Sequence, residues 1–211
     1  MAYFNIIAAL SLAYLIGSIP TSVWVGKLFY GIDIRTVGSG NAGATNVIRV
    51  LGLKAGIPVL LFDIFKGWAA VQLIHLFPVA LPSETGLVLF QISLGILVVL
   101  GHVFPVFAGF RGGKGVATLL GVGSALFPAA TGIALGIFIL VFLLFRYVSL
   151  ASILAALLFP FIQIFLLNHR EVLPLTILAI AVAVFIPITH RKNILRLVQG
   201  KESRLLLRKG K

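Results

Sequence analysis

VATLLGVGSALFPAATGIALGIFILVFLLF (116–145) is an unbroken run of thirty residues without a charge. A hydrocarbon layer about 30 Å thick takes roughly twenty helical residues to cross, so the run is long for one span and short for two. Pro128 stands near its middle, where it removes a backbone donor and interrupts an α-helix. One helix or a hairpin bent near Pro128: the choice sets the parity of the whole chain, and with it which loops share a side of the membrane.

The basic residues decide it. Around this run lie other apolar stretches, at about 3–25, 57–77, 86–107, 148–167 and 172–188. If 116–127 and 129–145 are two short or strongly tilted spans, the chain crosses seven times. Lys27, Arg35, Arg49, Lys54, Arg111, Lys114, Arg146 and the eight Lys and Arg after residue 190 then share one side, fifteen of the seventeen basic residues. Arg170 alone lies opposite, and Lys66 is inside a span. A single helix there moves Arg146 and the whole tail across, and the asymmetry collapses. Lys and Arg favour the cytoplasmic side. The expectation is therefore an all-α integral membrane protein: a bundle of seven transmembrane helices, N-terminus out and C-terminus in, with glycine-rich cytoplasmic loops. Residues 1–189 form one transmembrane domain and 190–211 a basic cytoplasmic tail.

Composition agrees. The 211 residues are 60% hydrophobic and 10% charged, with a mean hydropathy of +1.16, outside the range of a soluble domain of this size. The net charge of +12 is read as topology and as contact of the tail with anionic lipid, not as a nucleic-acid surface. The chain has no cysteine, which excludes disulfides and thiolate chemistry. The first residues lack a basic leader, so the first span is expected to be retained.

Two glycine-rich turns fall on the predicted cytoplasmic side. In VGSGNAGATNVIR (37–49), Gly38, Gly40 and Gly43 let the backbone approach a ligand closely, and Ser39, Asn41, Thr45 and Asn46 add short polar groups. A helix starting near Thr45 would turn its free N–H groups toward the turn and carry Arg49 one helical turn further on the same face. That combination suits a phosphate. The same residues match a dinucleotide fingerprint, with Asp63 twenty residues after Gly43, but that motif requires a preceding strand and a βαβ unit, and Asp63 lies in an apolar span. The second turn, FRGGKG (110–115), mirrors the first with Arg111, Gly112, Gly113 and Lys114. RYVS (146–149), with Ser149, and HRKN (190–193) reach the same side. Asp63 and Lys66, at i, i+3 within a span, form a structural ion pair.

At these residues the chain resembles a known family, the bacterial integral-membrane acyl-phosphate:glycerol-3-phosphate acyltransferases. The resemblance rests on GSGNAGATN (38–46), GGKGVAT (112–118) and HRKNI (190–194), supported by LIGS (15–18), DIFKG (63–67), GH (101–102), PVF (105–107) and RYVSLA (146–151). It covers nearly the whole chain in order. It implies seven spans with a site facing the cytoplasm of a bacterial inner membrane. It also implies transfer of a fatty acyl group from acyl phosphate to the 1-hydroxyl of glycerol 3-phosphate, giving lysophosphatidic acid and phosphate. A monomer without cofactor or metal is the expectation. Residues matching Ser39, Thr45, Arg49, Lys114, His190 and Asn193 would line the substrate pocket, with His190, Lys114 and Asn193 closest to the chemistry.

The residue types suit that reaction. Two phosphate-bearing substrates need cations, and Arg49 and Lys114 lead the candidates, with Arg111 and Arg191 beside them. Acyl phosphate is a mixed anhydride with a good leaving group, so positioning and charge stabilisation carry most of the demand. No Ser-His-Asp order and no H-x4-D motif occurs, which leaves a substrate phosphate as the expected proton acceptor and His190, then His102, as its rivals. A transporter of a phosphorylated solute is the competing expectation. It calls for repeats or broken helices at the midplane.

Overall fold

The computed structural model describes residues 2–77, 79, 83–167 and 173–205. All regular structure among them is helical: α1 (Ala2–Ser18), α2 (Thr21–Tyr30), α3 (Ala44–Leu51), α4 (Leu53–Leu76), α5 (Glu84–Val103), α6 (Val116–Leu126), α7 (Pro128–Phe145), α8 (Val148–Phe161), α9 (Leu173–Thr189) and α10 (Arg191–Val198). Short 3-10 turns lie at Ile34–Thr36 and Val106–Ala108, and α8 ends in a π turn, Ile162–Leu166. The turn around Arg170, and Arg208, Lys209 and Lys211, lie outside the described residues.

The run 116–145 is two helices. α6 stops at Leu126 and α7 restarts with Pro128 in its first turn, where the missing N–H has no helical partner to lose. With 11 residues, α6 is about 16 Å long, near half the hydrocarbon thickness. Four helical segments are long and apolar enough to cross a membrane: Leu53–Leu76, Glu84–Ala108, Pro128–Phe145 and Val148–Leu166. Two bent pairs bring the candidates to six. α1 and α2 meet at 42°, α9 and α10 at 62°. Large apolar side chains such as Phe4, Ile7, Leu61, Phe65, Leu140 and Ile177 are exposed, which lipid accepts and water does not. This is a multi-pass membrane protein.

The expected first span, 3–25, is therefore a broken element. Pro20 leaves the helix without a donor, Ile19 donates back to Ile16 at 3.3 Å, and Lys66 Nζ from α4 donates to the Ile19 carbonyl at 3.1 Å. A buried cation thus caps a carbonyl that the break exposes.

The described residues fall into two compact units, one ending at Leu126 and one starting at Phe127. In the first, α1 packs on α5 and α4 on α6. The contacts run through small residues. A Cβ on Gly17 would strike the Val98 carbonyl, one on Gly101 the Tyr14 carbonyl, one on Gly67 the Thr118 carbonyl and one on Gly121 the Ile64 carbonyl. Lipid offers no hydrophobic gain for helix association, so close backbone approach has to supply the attraction. In the second unit, α8 packs between α7 and α9, and Phe127 stands edge-on to Phe159 at 5.4 Å between ring centroids.

Candidate active site

The first unit holds both glycine turns. Gly38 and Gly40 have positive φ, +61° and +71°, so the backbone doubles back before α3 begins at Ala44. Asn46, 1% exposed, shapes the turn from inside. Its Nδ2 donates to the carbonyls of Ile34 at 2.9 Å and Val37 at 3.0 Å, and its Oδ1 accepts from the Ser39 amide at 2.8 Å. Ser39 and Gly40 are exposed, while Asn41, Thr45 and Arg49 are half-buried. Thr45 and Arg49 fall one turn apart on α3, as their spacing predicts.

The second turn is fastened to the end of α5. The Gly112 amide donates to Val103 O at 3.1 Å and the Gly113 amide to His102 O at 3.2 Å. The amide of Gly40 likewise donates to Val37 O at 3.1 Å. Four of the glycine-turn amides that the sequence assigns to an anion, those of Ser39, Gly40, Gly112 and Gly113, therefore bond within the chain. At the start of α3 the amides of Asn46 and Val47 both donate to Gly43 O, at 3.0 and 3.3 Å. Arg111 is exposed and Lys114 half-buried.

Two further contacts brace these segments. Ser22 of α2 donates to Ala42 O at 2.7 Å. Arg35 grips Asp33 with both arms, at 3.0 and 2.8 Å, and donates to Ala108 O at 2.8 Å, next to the second turn. The Arg35 guanidinium holds the Asp33 carboxyl well below the usual carboxylate range against the opposing effect of partial burial; Lys27, at 3.3 Å, adds to the lowering. Neither brace is evident in the sequence: Asp33 and Arg35 look like surface charges until Ala108, seventy-three positions away, arrives beside them.

Beneath the turns lies a small cavity walled by Thr21, Ser22, Ala42, Asp63, Lys66, His102, Gly112 and Gly113, so that residues of both turns meet one space. The Asp63–Lys66 pair expected from the sequence is present at 2.8 Å and is almost fully buried. Asp63 Oδ1 also lies 3.6 Å from His102 Nδ1 and accepts from Thr21 Oγ1 at 3.5 Å.

The second unit gathers Ser149, His190 and Asn193, all buried. Ser149 Oγ and Asn193 Nδ2 donate to Glu202 Oε1 at 2.7 and 2.6 Å, and Arg196 Nε donates to Oε2 at 2.7 Å. His190 lies on the bend before α10, its Nδ1 2.9 Å from Ile186 O; since a carbonyl can only accept, that nitrogen carries the proton. Leu205 donates to Arg146 O at 2.9 Å, so residues 199–205 fold back onto the start of α8. In the sequence Glu202 is one acid in a basic tail. Partial burial pushes its carboxyl up, but the bonds from Asn193, Arg196 and Ser149 outweigh this and hold it below the ordinary glutamate value.

With a folded-state value below the unfolded one, Glu202 stabilises the fold-back fully above the ordinary glutamate range and loses that contribution as pH falls through the lowered value. Protease cleavage after residue 199 should therefore stay slow in the wild type until the solution is more acidic than an ordinary glutamate titration. Glu202→Ala should be cleaved readily at neutral pH; equal resistance of the two at pH 7 would contradict the assigned role.

Among the described residues, no three His, Asp or Glu side chains cluster as metal ligands would.

A model of the family described as "Glycerol-3-phosphate acyltransferase" matches residues 7–200. A glycerol-3-phosphate acyltransferase from Chlorobium phaeobacteroides (strain BS1) is 45% identical, covering 96% of this chain and 97% of its own. One from Fusobacterium nucleatum subsp. nucleatum is also 45% identical, over 97% and 98%. The crystal structure of PlsY (YgiH), an integral membrane glycerol 3-phosphate acyltransferase, in its glycerol 3-phosphate form, superposes with a TM-score of 0.82 at 38% identity, over 95% of this chain and 96% of that one. Its lysphosphatidic acid form gives 0.80 at 37% identity, over 96% of both chains. Braced glycine turns over a buried polar cavity in an apolar helical chain, together with identity along nearly its full length, place this protein in the glycerol-3-phosphate acyltransferase family of integral-membrane acyltransferases.

Proposed function

We propose that this protein transfers a fatty acyl group from acyl phosphate to the 1-hydroxyl of glycerol 3-phosphate, releasing lysophosphatidic acid and inorganic phosphate. The hydroxyl oxygen bonds to the acyl carbonyl carbon, the bond from that carbon to the phosphate oxygen breaks, and the hydroxyl proton passes to a phosphate oxygen of a substrate. One observation carries this reading: the two glycine turns meet at one cavity through Ala42, Gly112 and Gly113, in a chain similar to an enzyme solved in a glycerol 3-phosphate form and a lysophosphatidic acid form.

Arg49 and Lys114 neutralise phosphate, Arg with a two-pronged grip and Lys as a point charge. Ser39, Gly40, Asn41, Thr45, Arg111, Gly112 and Gly113 border the anion, and Asn46 keeps the first turn in shape. In the second unit, Ser149, His190 and Asn193 are substrate-contacting candidates by family resemblance, with His190 the rival proton acceptor. Counting 116–127 and 129–145 as separate spans gives seven, which puts the turns on the cytoplasmic face of a bacterial inner membrane, where a soluble acceptor arrives from water and an oily donor from lipid. Residues 1–189 then form the transmembrane domain, and the family resemblance assigns His190 and Asn193, at the start of the tail, a contact with substrate.

The test is direct. Purified protein in lipid receives glycerol 3-phosphate with acyl phosphate, acyl-CoA or acyl carrier protein. Lysophosphatidic acid and phosphate should appear with acyl phosphate alone. Turnover with acyl-CoA alone overturns the donor, and glycerol 3-phosphate uptake without acylation overturns the reaction.

A further inference from the structure

His102 is 7% exposed and closes α5 at the point where the second glycine turn is attached. Its Nδ1 faces Asp63, the ring's one polar contact among the described residues. Its Nε2 lies against the Cα of Gly113, close enough that a Cβ there would collide with it, and it borders the cavity that Ala42 and Gly112 also wall. Bordering that cavity, the ring can hydrogen-bond a ligand or water that enters it. Asp63 itself is held by Lys66, which is anchored on the Ile19 carbonyl. The ring is thus fixed from behind by a chain of buried polar contacts that starts at the break in the first span, and its open nitrogen is presented between the two phosphate turns. A structural pair of Asp63 and Lys66 alone has no need of the third member.

We propose that His102 is a substrate-binding residue, its Nε2–H donating to a phosphate oxygen of a bound substrate while Asp63 orients the ring. This rests on the proposed function above. The phosphate belongs to glycerol 3-phosphate or to acyl phosphate, and the two are separated by which KM moves.

Two replacements divide the ring's functions. In His102→Asn the side-chain amide reaches the Nδ1 position beside Asp63 and falls short of the cavity. In His102→Gln the amide reaches the Nε2 position. With full-length protein in lipid, Asn should raise the KM for one phosphate substrate about ten- to a hundredfold, the scale of one lost charge-assisted bond, while kcat changes about threefold or less. Gln should recover most of that loss. Gly113→Ala, which pushes a methyl into Nε2, should raise the same KM and add little on top of His102→Asn. Unchanged KM in His102→Asn overturns the contact, as does a fall in kcat alone in both replacements. Binding of radiolabelled glycerol 3-phosphate to the wild type without donor is measured in parallel: its absence refutes the functional reading, whereas binding by the wild type with normal KM values in His102→Asn refutes only the role of His102.

Discussion

Asp63→Ala should cost about 3 to 5 kcal/mol of stability, the range for breaking a buried ion pair from one side. The loss of attraction is the smaller part. Lys66 is 2% exposed, and without Asp63 its ammonium keeps, among the described residues, the Ile19 carbonyl at 3.1 Å. The penalty is that of an uncompensated charge in a lipid-embedded interior. The double variant Asp63→Ala, Lys66→Met removes both charges and fills the volume, so it should regain much of the loss even with one more side chain altered. Thermal unfolding in a single mild detergent measures all three. A wild-type melting temperature in Asp63→Ala, or a double variant worse than the sum of the singles, would contradict this account. Activity should fall in the double variant even where stability returns, because His102 has lost the carboxylate that orients it.

Lys114→Ala should lower kcat/KM by about a hundredfold or more, since a charge-assisted bond to phosphate is worth about 1.5 to 3 kcal/mol and two phosphates must be neutralised. Lys114→Arg keeps the charge but changes its geometry from a point to a planar fork, so it should restore only part of the rate. Arg49→Lys makes the reverse change on α3 and should raise the KM about tenfold through loss of the two-pronged grip. Phosphate release from acyl phosphate in the presence of glycerol 3-phosphate reports each. A Lys114→Ala protein with wild-type turnover would remove the second turn from the site.

Much of the architecture is legible along the chain because it depends on local rules. Apolar runs of about twenty residues mark membrane helices, Pro128 marks the division of 116–145, and Gly38 and Gly40 mark a turn where ordinary residues are strained. Thr45 and Arg49 meet on one face because a helix repeats every 3.6 residues. These features need no distant partner. The role of Asn46 was not legible. In sequence it is one more polar residue in a ligand-like turn, and only the return of Ile34 and Val37 turns it into an internal brace. The turn amides follow the same logic: glycine predicts their accessibility, while the carbonyls of Val37, Val103 and His102 decide that several are already engaged.

What the sequence determined by itself is the membrane class, the helix breaks, the two cationic glycine turns and the family. Tertiary structure alone decided which polar groups face one another: Arg35 with Ala108, Lys66 with the broken first span, Glu202 with Ser149, and His102 with the cavity. The reason is physical. Helix, turn and lipid preference are set within a few residues by backbone sterics and transfer free energy, whereas a buried polar group's role depends on the partner that desolvation forces it to find, and that partner is supplied by another part of the chain.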